Sequence, residues 1–153
     1  VFAIAALWVE NVFMPDADIL AISSAIIVVY LLFSIVVLAK FITTAERIDQ
    51  DIICAAVIVY LLISMVWAFF YATLEAFVPG SFAMPFETIQ SDRLYWFLYF
   101  SFITITTLGY GDITPLNAKA CTLASTEALI GQIYLVDIVA WLVVMHVSER
   151  SRS

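Results

Sequence analysis

LYWFLYFSFITI (Leu94–Ile105) running directly into TTLGYGD (Thr106–Asp112) is the stretch on which the fold turns. The first part is apolar and aromatic for about twelve residues, a helix of roughly 18 Å against a bilayer core of ~30 Å. It enters a membrane without crossing it, or it is a buried core helix. Ser91 or Asp92 is placed to cap its start. The second part is irregular by composition, with Gly109 and Gly111 two residues apart. Thr114 followed by Pro115 then reads as an N-cap and first helical position, opening the next helix. Non-helical backbone at membrane depth is tolerated only where it is buried in protein or lines a wet path.

Working outward, the whole chain has the composition of a membrane protein. Its 153 residues are 65% hydrophobic and 12% charged, with a mean hydropathy of +1.08. A soluble fold of this size leaves too much surface exposed to hide so much apolar area. Ile19–Phe41 and Ile52–Phe77 are long enough to span, and Cys121–Val147 has the length although it contains Glu127, Gly131 and Asp137. Val1–Met14 is apolar, too short to cross and without a basic leader region; it reads as part of a helix rather than a signal peptide. Asp51 is positioned to cap the helix that starts at Ile52.

The net charge of −7 includes no basic run, which excludes nucleic acid as a partner. Lys40, Arg47, Arg150 and Arg152 mark the cytoplasmic side by the positive-inside bias. Asp16, Asp18, Glu75, Glu87 and Asp92 then fall on the other side, with only Arg93 and Lys119 among them. Such an acidic mouth concentrates cations; for any one of these carboxylates an ordinary solvated loop is the alternative. Cys54 and Cys121 sit in apolar stretches and read as small buried hydrophobes, not as a disulfide framework. The single histidine, His146, lies near the cytoplasmic end. No metal-ligand cluster or nucleophile–base pair stands out, so the chain does not read as an enzyme, and no cofactor is expected.

From about Ile52 to Val147 the chain resembles the potassium-channel pore family. That family's Thr-Val-Gly-Tyr-Gly-Asp signature appears here as Thr107-Leu108-Gly109-Tyr110-Gly111-Asp112, preceded by a pore helix and followed by an inner helix with a central Gly131. The chain is similar to prokaryotic channels with a simple two-helix pore, carrying extra helices at its N-terminus. The resemblance implies an all-α membrane protein: outer helix, re-entrant pore helix and filter loop, and inner helix, preceded by one full and one partial transmembrane helix. Residues 1–51 would hold the N-terminal helices and linker, 52–147 the pore domain, and 148–153 a short cytoplasmic tail. It further implies a homotetramer in the cell membrane, each copy partnered by three identical subunits and the lipid bilayer. The pore loop would face outside and the C-terminus the cytoplasm. Potassium is then the permeant ion, bound by the carbonyls of Thr107, Leu108, Gly109 and Tyr110, with Gly111 in the same strip. Thr106, Tyr99 and Asp112 support the filter, and Gly131 is the gating hinge. Any regulatory domain or partner lies outside this chain.

The choice of residue types also has a physical reason. A potassium ion that sheds its water needs a ring of oxygens. Successive backbone carbonyls point to one axis only if residues alternate between left- and right-handed regions, which glycine makes cheap. Leu108 and Tyr110 then point away from that axis, and Thr107 adds its hydroxyl at the inner end. One chain supplies one edge of each ring, so four are required. The pore helix aims the negative end of its dipole at the cavity below.

Three positions depart from the family. Leu108 replaces the commoner Val, a change of bulk that leaves the carbonyls intact. Phe100 stands where many relatives carry Trp, so Tyr110 loses a ring-nitrogen partner. Ile103 stands where a bacterial relative has a carboxylate paired to the filter aspartate, leaving Tyr99 as the partner expected for Asp112. Tyr95, Trp96, Phe97, Tyr99, Phe100 and Phe102 read as packing that holds the filter width, with an interfacial belt as the alternative for Tyr95 and Trp96.

Two carboxylates inside an apolar helix are functional suspects. Glu127 reads as a structural hydrogen bond to the back of the pore helix or filter. Asp137 lies about 200° around the helix from Leu135 and Val139. If those two face the cavity, Asp137 sits against a neighbouring helix; otherwise it forms an acidic ring. For Gly131, close packing on the pore helix is the alternative to a hinge. The rival functions are a non-selective cation channel, a potassium-uptake transporter, whose four pore units sit in one chain, and a non-conducting membrane scaffold.

Overall fold

A computed structural model describes residues 17–45, 49–84 and 93–150. The expected partial helix over Val1–Met14, the Ser91/Asp92 cap, and Arg47 and Glu87 lie outside those residues. Among the described residues four helices carry the fold: α1 (Ala17–Thr43), α2 (Gln50–Phe77), α3 (Arg93–Ile105) and α4 (Ala118–Arg150). Three of them hold segments long and apolar enough to cross a membrane, over Ser24–Thr43, Gln50–Phe77 and Ala118–Trp141. With 13 residues, α3 rises only about 20 Å and cannot cross. The protein is an all-α membrane protein, trimmed by one short pair of strands.

Two helix starts differ from the sequence expectation. Asp49, not Asp51, caps α2: its backbone is extended and its Oδ1 accepts from the Ile52 amide at 3.2 Å. Asp51 lies two residues on, within the first turn, where its charge still complements the helix N-terminus. Thr114 and Pro115 do not open α4. They form strand β2, antiparallel to β1 (Phe82–Ala83), with Phe82 opposite Pro115 and Ala83 opposite Thr114. Asn117 is the residue that caps α4, its Oδ1 accepting from the Ala120 amide at 2.9 Å. Pairing with β1 holds Thr114–Pro115 extended and moves the helix start three residues on.

The end of α2 is clamped to the start of α4. Glu75 accepts from the amides of Gly80 and Ser81, at 2.8 and 2.9 Å, closing a turn in which Gly80 takes a φ of +80°. Ser81 then accepts from Leu116 N through its carbonyl and from Asn117 Nδ2 through its hydroxyl. Beneath this clamp lies an aromatic core of Trp67 and Tyr71 from α2, Phe82 from β1, and Phe97 and Phe100 from α3. Ile113 and Ala120 close it.

Lower down, Ile42 of α1 packs with Ile52, Ala55, Ala56 and Val59 of α2, and Tyr134, Ile138 and Trp141 of α4 lean on the same cluster. A third cluster joins Ile27 and Leu31 of α1 to Val66 and Phe69 of α2. In lipid no hydrophobic force pushes helices together, so close packing and hydroxyl bonds must hold these contacts. Ser64 and Ser101 meet at the α2–α3 crossing, both fully buried and 2.8 Å apart. Cys54 and Cys121 are exposed, contrary to expectation, on outward faces of α2 and α4.

Candidate functional site

The site is built at the C-terminal end of α3. A helix end leaves four carbonyls without intrahelical partners, and here all four are satisfied. Phe102 O accepts from Thr106 N at 3.2 Å and from Thr106 Oγ1 at 2.6 Å. Ile103 O accepts from Gly109 N at 2.9 Å, and Thr104 O from Thr107 N at 3.0 Å. Ile105 O accepts from the Tyr60 hydroxyl of α2 at 2.8 Å.

Beyond Ile105 the pattern reverses. Among the described residues, no hydrogen bond reaches the carbonyls of Thr106 to Gly111. The same strip has positive φ at every second residue: Thr107 at +59°, Gly109 at +53° and Gly111 at +78°. Left-handed backbone is cheap for the two glycines but strained for a β-branched threonine, by about 1–3 kcal/mol. Thr107 is held there because its amide and that of Gly109 are both tied back to α3. Alternation of this kind turns consecutive carbonyls to one side. The sequence flagged the glycines; nothing in it marked Thr107 as left-handed.

The strip is open. Every residue from Thr106 to Asp112 is exposed in the single chain, with Leu108 at 55% and Tyr110 at 67%. Among the described residues, nothing buries those two large side chains. At the outer end the Tyr99 hydroxyl donates to Asp112 Oδ2 at 2.6 Å, and Asp112 Oδ1 accepts from Ile113 N. That hydrogen bond pushes the Tyr99 hydroxyl up to about 12, so it remains a donor at ordinary pH. Of the aromatic run, Phe97 and Phe100 are buried in the core while Tyr95 is 66% exposed. Trp96 meets Tyr95 and Tyr99 edge-on.

The remaining candidates lie on α4. Gly131 is buried against the last residue of α3: a Cβ there would meet Ile105 Cγ1 at 2.5 Å and Ile105 O at 2.8 Å. The helix continues unbroken through it. Glu127, one turn earlier, is fully buried and bonded to Ser101 of α3 and Tyr71 of α2. Asp137 is exposed, and among the described residues no helix covers it. Leu135, Val136, Val139 and Ala140 line a shallow apolar hollow beside it, of about 450 Å³. Sequence reasoning singled out Glu127 but not its partners. Tyr71 and Ser101 lie 56 and 26 residues away, and no local pattern announces such pairings.

A family model described as "Ion channel" matches residues 51–145. No curated protein and no solved structure matches the chain.

Proposed function

Since the chain belongs to the ion channel family, over residues 51–145, we propose that its pore is potassium-selective and formed by four identical copies. The observation that carries this reading is the strip of carbonyls from Thr107 to Tyr110, without internal partners and alternating in backbone hand. Around a fourfold axis these oxygens replace the hydration shell of a dehydrated cation, ring after ring. The Thr107 hydroxyl adds the innermost ring. Because the helix end beneath is fully bonded, the strip is anchored without using its own oxygens.

Assembly also accounts for what one chain leaves open. Leu108 and Tyr110, exposed here, find their packing against neighbouring copies, as do apolar residues such as Leu129 and Ile133 on α4. Tyr99 and Asp112 brace the outer end and Thr106 the inner one. Gly131 is the point where α4 bends, and its contact with Ile105 makes any bend a movement at the base of the strip. The strip's outer mouth faces the cell exterior and the end of α4 the cytoplasm. Asp137, exposed on α4, sits against a neighbouring copy's helix.

Purified protein in liposomes tests the reading through reversal potentials in mixed potassium and sodium. A reversal potential that follows the potassium gradient supports it. Equal permeability to both ions would replace it with a non-selective cation channel, and no flux at all with a scaffold. Potassium-dependent thermal stabilisation, absent in sodium, would report binding to the assembled rings.

A further inference from the structure

Glu127 is buried where three helices meet, and its surroundings allow its protons to be counted. Four oxygen–oxygen contacts of hydrogen-bond length meet there. Tyr71 Oη touches Glu127 Oε2, and Ser101 Oγ touches Glu127 Oε1. Ser101 Oγ also lies 2.7 Å from the Ser64 carbonyl and 2.8 Å from Ser64 Oγ. Each contact needs one proton, and a carbonyl brings none. The hydroxyls of Tyr71, Ser101 and Ser64 supply three. An ionised Glu127 therefore leaves one close contact without a proton.

A carboxylic acid completes the set. Tyr71 donates to Oε2, the acid proton on Oε1 goes to Ser101 Oγ, Ser101 donates to the Ser64 carbonyl, and Ser64 donates to Ser101. Ser101 then uses its one donor and both lone pairs. The charged alternative also lacks a counter-ion: among the described residues the partners of Glu127 are hydroxyls, and a buried unpaired charge is costly. The titratable groups facing it are Tyr71 and Tyr60, both from α2, while α3 contributes only the Ser101 hydroxyl.

Position gives this proton a role. Glu127 and Gly131 are one turn apart on α4, and Ser101 and Ile105 are one turn apart on α3. The two pairs form matched rungs: an acid on a hydroxyl, then a glycine on a backbone carbonyl. We propose that Glu127 is a positioning residue held as a neutral carboxylic acid, whose own proton, donated to Ser101, sets the register of α4 against α3 and so of the strip that α3 carries. Glutamine reproduces it, since its amide donates to Ser101 and its carbonyl accepts from Tyr71. Alanine leaves Tyr71 and Ser101 without their partner. Removing the proton at alkaline pH opens the rung.

The proposal goes beyond the potassium-pore reading, and its main test is independent of conduction. Infrared spectra of the full chain in lipid vesicles are compared for wild type, Glu127→Gln and Ser101→Ala. The expected result at neutral pH is a carboxylic-acid carbonyl band in wild type that disappears in Glu127→Gln. In Ser101→Ala, where the acid proton loses its acceptor, the band moves to higher frequency. Wild-type spectra without that band, or a band unmoved by Ser101→Ala, overturn the proposal even if Glu127→Gln fails to assemble. In potassium flux, Glu127→Gln conducts and is flat with pH, while wild type declines as its acid band is lost on raising pH. Glu127→Ala falls by about tenfold or more, the factor for one ordinary buried hydrogen bond. Wild-type flux unchanged after the band is gone overturns the positioning role. Absence of any wild-type flux would count against the pore reading and leave the infrared result standing.

Discussion

Replacing Gly131 by alanine sets two calculable effects against each other. The new Cβ would lie 2.8 Å from Ile105 O, about 0.6 Å inside the ordinary contact range of 3.4–4 Å. Ile105 Cγ1, at 2.5 Å, could rotate only within a site where Ile105 is 0% exposed. The carbonyl has less freedom still, because it accepts the Tyr60 hydroxyl at 2.8 Å. Overpacking of this kind costs about 1–3 kcal/mol. Alanine in place of glycine within a helix returns about 1 kcal/mol. The balance is a loss of up to about 2 kcal/mol per chain, incurred once in each copy of the proposed tetramer. The measurement is thermal unfolding of the purified assembly, with potassium flux alongside. Gly131→Ala should melt below wild type and conduct less, and Tyr60→Phe, which frees the carbonyl to move, should narrow the gap between them. A variant as stable as wild type but slower to conduct would assign the glycine to bending alone and refute the packing argument. Full stability with unchanged flux would refute both.

Other consequences can be checked separately. Gly109→Ala forces a side chain onto a φ of +53°, a strain of about 1–2 kcal/mol; reversal potentials should show selectivity for potassium over sodium falling well before protein expression does. Asp112→Asn removes the carboxylate that holds the Tyr99 proton. The Tyr99 hydroxyl should then titrate below its wild-type value of about 12, toward the ordinary 10.0, as followed by ring-labelled tyrosine resonances; an unchanged titration would show that the hydrogen bond is not its cause. Glu75→Ala strips the acceptors from Gly80 N and Ser81 N, and should cost about 1.5–3 kcal/mol of stability, with Glu75→Gln intermediate.

Much of this architecture can be read from the chain because its causes are local. The apolar lengths of α1, α2 and α4, the shortness of α3, and glycines at alternate positions of the strip each act within a few residues. Their physics is the bilayer's thickness and the steric limits of the backbone. Where a local signal competes with a distant partner, the reading slips. Thr114-Pro115 has the form of a helix start, yet pairing with Phe82–Ala83 holds it extended and passes the cap to Asn117. Asp49 and Asp51 are equal as letters, and only backbone direction selects Asp49. Glu127 is conspicuous in an apolar helix, but its meaning depends on hydroxyls 26 and 56 residues away. The left-handed Thr107 likewise follows from ties to α3 and not from any preference of threonine. Patterns along the chain record what each segment does in lipid; which groups meet across helices is set only when packing brings them within hydrogen-bond reach.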